Sequence, residues 1–469
     1  MKLREKCAVF GVYTKSKDAS YLTYLGLSAL QHRGQESTGI TVSNGQRLLT
    51  HKGNGLVSEF YDEPTLSILT GNFAIGHNRY STSGGSSVLH IQPIVVCQSQ
   101  LAIAHNGNIP ITKKLEKFLN NNNFNTTHLN DSGMIGEALG ILMRMGKTTE
   151  EAVKELFPLL TGSFSLLILD REGITAVRDS YGIRPLVIGR LSCGGYAFAS
   201  ETCALNAVDA EIIKEINPGE MIRIDSEGIN YTQITQGSSN LDIFEFIYFA
   251  RNDSIILGQS VYEVRKNMGK ILAKEYMQKV KVDILVPIPE SAIPAAVGYA
   301  NESGIPLEYG LQRNRYIQRT FIMPQQEFRE RSLKQKLNAI PEVFAGKRVL
   351  LIDDSIVRGT TSKKIISVVR NAGAREVHML ISSAPILYPD FYGIDIPSQK
   401  ELIAANMTLN EIKDYIGADS LGYLSYDGMI KATGVGEENL CTACFNANYP
   451  IDVSEVFTKP ANLKVVNTA

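Results

Sequence analysis

The chain has 469 residues, with 47 Lys and Arg against 48 Asp and Glu and a formal net charge of -1. That length allows two to four domains with room for buried cores, and the balanced charge argues against a protein whose main task is coating nucleic acid or an anionic membrane. A 44% apolar fraction with 20% charged residues is ordinary for a soluble globular protein, and no apolar run approaches the roughly 18 residues of a membrane span.

Residues 1–6 carry three cations and no apolar stretch, so they do not read as a secretory signal, and a cytoplasmic location is expected. Six cysteines in so long a chain do not make a disulfide framework. Cys97, Cys193 and Cys203 read as core thiols, whereas Cys7 and the Cys441/Cys444 pair stand apart by position and spacing. From 7 to about 235 the chain reads as short alternating strands at 72–75, 101–104, 164–169, 174–177, 196–198 and 221–224, with helical patterns near 21–30 and 132–145. Packed antiparallel sheets with helices follow from that rhythm. The polar stretch "QGSSN" at 236–240 marks the best boundary.

Beyond 255 the pattern becomes strand then helix: a helix through Tyr276, a strand at 284–287, a helix near 292–301, a strand at 349–352, a helix near 362–371 and a strand at 377–381. Such alternation predicts a parallel sheet with crossover helices. Between Arg313 and Asn338 lies a basic, Gln-rich insertion without apolar periodicity, the kind of long polar segment that is more often functional than structural.

The most specific stretch is "VLLIDDSIVRGTTS" at 349–362. Four apolar residues make a buried strand, two carboxylates sit at its carboxyl end, and a Gly- and hydroxyl-bearing loop leads into a helix. Open α/β sheets bind ligands at that edge. Loop amides and Thr hydroxyls at a helix N-terminus suit a phosphate monoester, while Asp353 and Asp354 suit ribose hydroxyls and hydrated Mg²⁺. A Walker A reading fails for want of Gly-Lys-Ser/Thr. The stretch resembles the phosphoribosyl diphosphate (PRPP) motif of type I phosphoribosyltransferases. That resemblance implies that Asp353 and Asp354 hold the ribose and that Ser355, Arg358, Gly359, Thr360 and Thr361 cradle the 5-phosphate. It also implies that Ser291, in "VPIPESA" at 286–292, contacts Mg²⁺ or pyrophosphate. Arg313, Arg315 and the Arg331/Lys334/Lys336 cluster are candidates for stabilising the leaving pyrophosphate, which gains negative charge as the bond to ribose C1 breaks.

In the first half, "CAVFGV" begins at Cys7, and "LQHRGQESTGI" (30–40), "GHNRYSTSG" (76–84) and "AHNGNI" (104–109) follow. With residues 1–6 removed, the Cys7 thiol would lie beside its own α-amine, whose pKa of about 8 makes it a usable general base. Asn106 and the Gly107 N–H could form an oxyanion hole, and Arg79 and Asp131 could bind the carboxylate and ammonium of a free amino acid. Together these segments resemble a class II glutamine amidotransferase domain, which implies an α+β N-terminal-nucleophile fold, an αββα sandwich. "RDSYGIRPL" (178–186) and "ASETCAL" (199–205) extend the match.

A glutaminase followed by a phosphoribosyltransferase, joined through "FEFIYFARNDS" (244–254), is similar to the amidophosphoribosyltransferase family. The implied division is a propeptide at 1–6, a glutaminase at 7–235, a phosphoribosyltransferase at 236–455 and a tail at 456–469. The family implies PRPP and glutamine as substrates, Mg²⁺, transfer of ammonia through an internal channel, purine nucleotide inhibitors and a homotetramer, with neither nucleic acid nor membrane as partner. The propeptide-bearing branch carries four cysteines on a [4Fe–4S] cluster; here those positions hold Asp242, Asp390, Cys441 and Cys444. Two carboxylates in place of thiolates weaken a cluster; a weakened cluster, a harder ion such as Zn²⁺, or no metal with a hydrogen-bonded polar junction between the domains are the readings left open, the last favoured. Asn252 replaces the usual Pro and Arg313 the usual Lys. Two other readings stay open: a glutaminase joined to another acceptor domain, as in glucosamine-6-phosphate synthase, and a PRPP-binding regulator without catalysis.

Overall fold

The structure is a computed structural model that describes residues 7–16, 18–79, 90–96, 98, 100–314, 337–394, 396 and 398–458. Residues 1–6, Cys97, the cations Arg315, Arg331, Lys334 and Lys336, and the last eleven residues lie outside the described residues.

Strand Ala8–Thr14 shows how the first half layers. Its side chains alternate across the pleat. Ala8, Phe10 and Val12 join a core under helix Ala19–Ala29, and Val9 points the other way into a second core. The strand lies at the middle of a seven-stranded antiparallel sheet, between Phe73–Arg79 and Gly195–Ala199. A six-stranded antiparallel sheet, with Leu101–Ile111 and Thr161–Leu169 near its centre, faces it through Ile75, Ala104, Leu167 and Ile222. Helices Lys113–Asn121, Asp131–Arg144 and Thr149–Leu156 cover the outer side of that sheet. The layers are helix, sheet, sheet, helix, as expected. Helix Lys113–Asn121 escapes a periodicity reading because it is only nine residues long and buries just Leu115 and Leu119.

The second half has a four-stranded parallel sheet in the order Ile284–Pro287, Arg348–Asp353, Glu376–Ile381, Ser420–Tyr423. Both faces are buried, which is why its strands read as continuous apolar runs. Leu285, Leu350, Ile352 and Leu380 pack under helices Val261–Tyr276 and Ile293–Ser303. Val349, Leu351, Val377 and Met379 pack on the opposite side with helix Thr360–Asn371. The two halves are bonded rather than merely tethered. Asn240 N–H donates to the Tyr181 carbonyl at 2.7 Å and Asp242 N–H to the Ile183 carbonyl at 3.1 Å. Leu241–Asp242 then pairs in parallel with Leu440–Cys441, and Ile183 shares a small core with Tyr392, Cys441 and Ile451.

Candidate active sites and the junction between them

Cys7 enters the sheet one step before the Ala8–Asn78 pair, so Arg79, buried at the end of its strand, lies across from it. Asn106 and Gly107 sit within strand Leu101–Ile111 rather than at its end; the register slips only after Asn108. Gly107 has φ +150°, and a Cβ there would stand 2.1 Å from the Ser163 carbonyl oxygen, so no larger residue fits. The Asn106 amide donates to Ser200 Oγ at 3.4 Å, and Ser200 Oγ accepts from Val9 N–H at 2.9 Å. Asn106 and the strand that follows Cys7 are therefore tied through one hydroxyl. Asp131 opens helix Asp131–Arg144, and its Oδ2 accepts from Ile109 N–H at 3.2 Å, beside the strand that carries Asn106. His105 and His77, both buried, are pushed down by burial, His77 to about 3, so neither is a cation at neutral pH.

In the second half Asp353 and Asp354 are both about 3% exposed at the carboxyl end of the central parallel strand. Ser291 donates a short hydrogen bond to Asp354 Oδ2, Ser355 Oγ donates to Oδ1 at 2.7 Å, and Asp354 N–H donates to Asp353 Oδ1 at 3.0 Å. The loop turns through Gly359 at φ +71° into Thr360 and Thr361, the first residues of the twelve-residue helix. A Cβ on Gly359 would stand 2.7 Å from Ile403 Cδ1. Arg358 is ion-paired to Glu401, and Ile403 N–H donates to the Val357 carbonyl at 2.8 Å, so segment 398–406 pins the loop. Arg313 ends strand Leu311–Arg313, which pairs with Leu337–Ala339 and frames the insertion. Lys336 lies outside the described residues.

Asp242, Asp390, Cys441 and Cys444 do come together, all nearly fully buried, at the seam between the halves. Asp242 pairs across the short ladder with Cys441, and Cys444 Sγ is 4.0 Å from Asp390 Oδ2. Asp390 Oδ1 accepts from the N–H groups of Tyr392 and Ile394, each at 2.8 Å, and Asp242 Oδ1 from that of Phe244 at 3.0 Å. Arg184 Nη1 stands 3.5 Å from Asp242 Oδ2. Burial pushes the Asp242 carboxyl up to about 8 against the pull of Arg184, with Asp390 adding to the rise, and burial beside these carboxyls pushes both thiols well up. Among the described residues no group of three or more His, Cys, Asp or Glu side chains is arranged to hold a metal ion.

Some placements differ from expectation. Cys203 is a core thiol, but Cys193 is exposed, in the tight turn between two strands. Asn252 does more than replace Pro: its Oδ1 accepts from Arg265 Nη1 at 2.6 Å, completing the buried guanidinium's bonds to the Phe246 and Ala250 carbonyls. Burial pushes Arg265 down to about 10. Sequence reading also passed over Arg33, Glu201 and Glu245. All three lie inside the segments that carried the resemblance, and the signal was a charge set among apolar residues, as in "FEFIYF".

The layered first half with a cysteine at its leading strand, and the parallel sheet with an acidic pair before a phosphate-type loop, define a glutamine amidotransferase joined to a phosphoribosyltransferase. The glutamine amidotransferase domain family matches residues 77–207 and the phosphoribosyl transferase domain family residues 259–385. Amidophosphoribosyltransferase of Synechococcus elongatus is 45% identical over 458 residues, 96% of this chain and 92% of the relative, and that of Methanocaldococcus jannaschii is 44% identical over 469 residues, 96% and 98%. The solved structure of glutamine PRPP amidotransferase from B. subtilis, complexed with ADP and GMP, superimposes with a TM-score of 0.87 at 40% identity, covering 95% of this chain and 98% of that one. The chain belongs to the amidophosphoribosyltransferase family.

Proposed function

We propose that the chain makes 5-phosphoribosylamine, glutamate and pyrophosphate from PRPP, glutamine and water, the committed step of de novo purine synthesis. The observation that carries this is one chain in which Asn106 is tied through Ser200 to the strand that follows Cys7, and an Asp353/Asp354 pair precedes a phosphate-type loop, in halves joined by hydrogen bonds. In the domain division we favour, 7–235 is the glutaminase, 236–455 the phosphoribosyltransferase and 456–469 a tail. Removal of residues 1–6 would free the α-amine of Cys7, which takes the thiol proton as sulfur attacks the glutamine amide carbon and returns it to the departing ammonia. Asn106 and Gly107 N–H hold the oxyanion, and water releases glutamate from the thioester. Arg79 and Asp131 bind the amino acid's carboxylate and ammonium. Ammonia then attacks ribose C1 as its bond to pyrophosphate breaks.

Asp353 and Asp354 hold the ribose hydroxyls, Ser355, Arg358, Gly359, Thr360 and Thr361 the 5-phosphate, and Arg313 and Lys336 the departing pyrophosphate. Ser291, Asp353 and Asp354 are hard oxygen donors that suit Mg²⁺ arriving with the diphosphate, where its chemistry is to neutralise leaving-group charge. The Asp242/Asp390/Cys441/Cys444 set does not suit a [4Fe–4S] cluster: two donors are hard carboxyls already hydrogen-bonded to backbone, and Arg184 places a cation among them. Iron and acid-labile sulfide on anaerobically purified protein should fall far below one cluster per chain; about four irons would overturn this.

The relatives' descriptions, ADP and GMP for one solved structure and an allosteric regulatory enzyme of purine biosynthesis for a second at TM-score 0.88 and 41% identity, support purine nucleotide inhibition. A homotetramer and a cytoplasmic location complete the proposal. Among the described residues no helix is long and apolar enough to cross a membrane. The matched phosphoribosyl transferase domain disfavours a sugar isomerase partner, and a pure sensor needs no oxyanion hole. The direct test is Cys7→Ala. Glutamine-dependent pyrophosphate release should vanish while release with added ammonia survives, and equal loss of both would refute independent half-sites.

A further inference from the structure

A line of buried ion pairs crosses the seam and ends on the backbone of Cys7. Arg184 Nη1 lies 3.5 Å from Asp242 and 3.3 Å from Glu245 Oε1. Glu245 grips Arg33 at two points, Oε2 to Nη1 at 2.9 Å and Oε1 to Nη2 at 2.6 Å. Arg33 Nη1 also donates to Glu201 Oε1 at 2.5 Å, and Arg33 Nε donates to the carbonyl oxygen of Cys7 at 3.2 Å. Glu201 in turn accepts from Arg251 N–H at 2.9 Å and Ser254 Oγ at 2.7 Å. The side chains of Arg33, Glu201 and Glu245 are completely buried and that of Arg184 is 2% exposed.

Burying such ions is costly before they are paired, and apolar packing of equal volume is often as stable. A seam needs no charges merely to hold together. What apolar packing cannot supply is a directional bond onto one chosen carbonyl, and Arg33 is planar and forked, able to face two carboxylates while its Nε–H points elsewhere. The backbone it bonds belongs to the residue whose thiol and amine would do the glutaminase chemistry. Burial alone would raise the Glu201 carboxyl; the charges of His32 and Arg33 outweigh it and hold Glu201 well below the usual carboxylate range.

We propose that Arg33 and Glu245 are positioning residues for the glutamine half-reaction: Glu245, on the first segment of the second half, locks the Arg33 guanidinium so that its Nε–H fixes the Cys7 carbonyl and with it the orientation of thiol and amine. This rests on Cys7 being the nucleophile. It places a determinant of glutaminase geometry in the phosphoribosyltransferase half, so that the glutamine site is assembled only when residues 244–254 are seated.

Glu245→Gln keeps the shape and removes one of the two charged grips. In the full-length enzyme, kcat for glutamate release should fall about tenfold or more while KM for glutamine stays within about twofold, because Arg79 and Asp131 are untouched. Alkylation of Cys7 by a chloroketone analogue of glutamine should slow in parallel, and ammonia-supported pyrophosphate release should stay within about twofold of wild type. Because Glu245→Gln leaves Arg33 with less compensating charge, Arg33→Lys provides a second variant that keeps a cation between Glu201 and Glu245 but lacks the planar fork and its Nε–H. If positioning is right, Arg33→Lys keeps its fold by thermal melting and still shows the kcat loss. An unchanged kcat in either variant, or parallel loss of the glutamine and ammonia reactions, overturns the proposal. Should Cys7→Ala retain glutamine turnover, the nucleophile assignment itself falls, a result separable from an unresponsive Glu245→Gln.

Discussion

Two pairs of buried aspartates differ in place, side-chain partners and nearby charge. Asp353 and Asp354 are adjacent, at the mouth of a parallel sheet, with neutral hydroxyls of Ser291 and Ser355 donating to Asp354. Asp242 and Asp390 are 148 positions apart in sequence and meet in a sealed seam, fed by backbone amides and faced by Arg184. A carboxylate pair at a sheet's carboxyl edge has an open side from which a ligand can complete it. A pair closed in by protein has to settle its charge internally, with a resident cation or a retained proton. On the proposed reading, position in the fold and the partners that come with it separate a pair that binds from a pair that is structural.

The sharpest way to break this contrast is to neutralise one member of each pair. Asp354→Asn should lower both glutamine- and ammonia-supported pyrophosphate release by about 100-fold or more, since the group lost would hold ribose hydroxyls and Mg²⁺ while C1 gains positive charge. Near-wild-type rates would make Asp353/Asp354 as structural as the seam pair. Glu245→Gln sits between the extremes, about tenfold on one half-reaction alone.

How far the chain could be read from its sequence follows the same divide. The Asp353/Asp354 site was legible because strand, carboxylates, Gly359 and the Thr pair are contiguous, and the parallel sheet because doubly buried strands such as 349–352 are unbroken apolar runs. The strands at 8–14 and 37–43 were not read, although the first is the middle strand of its sheet, because Gly and Thr interrupt what would otherwise be buried apolar runs. Strand Ser420–Tyr423 has only four residues to show. Helix Thr149–Leu156 announces itself through a Thr148/Glu151 capping box rather than a long stripe. Arg33, Glu201 and Glu245 were invisible as a set because no spacing rule relates residues 33, 201 and 245. Only the tertiary fold makes them neighbours.

The smallest effect, and the one that sharpens the contrast most, belongs to Asp242. Its pKa is raised from an ordinary carboxyl value to about 8 by burial, so between about pH 4 and 8 the folded protein keeps a proton that the unfolded chain releases. Stability from this group is therefore complete below about pH 4 and is lost as pH rises through about 8. Asp390, Glu245, the two thiols and Arg184 face the same pocket, and Arg184 already works against the rise. Asn at 242 cannot ionise. The melting temperature of Asp242→Asn relative to wild type should accordingly climb between pH 5 and pH 9, by a few degrees if about 1–2 kcal/mol is at stake, with ammonia-supported activity unchanged. A difference that is flat across that range would mean the seam holds Asp242 ionised throughout, with Arg184 alone carrying the charge balance.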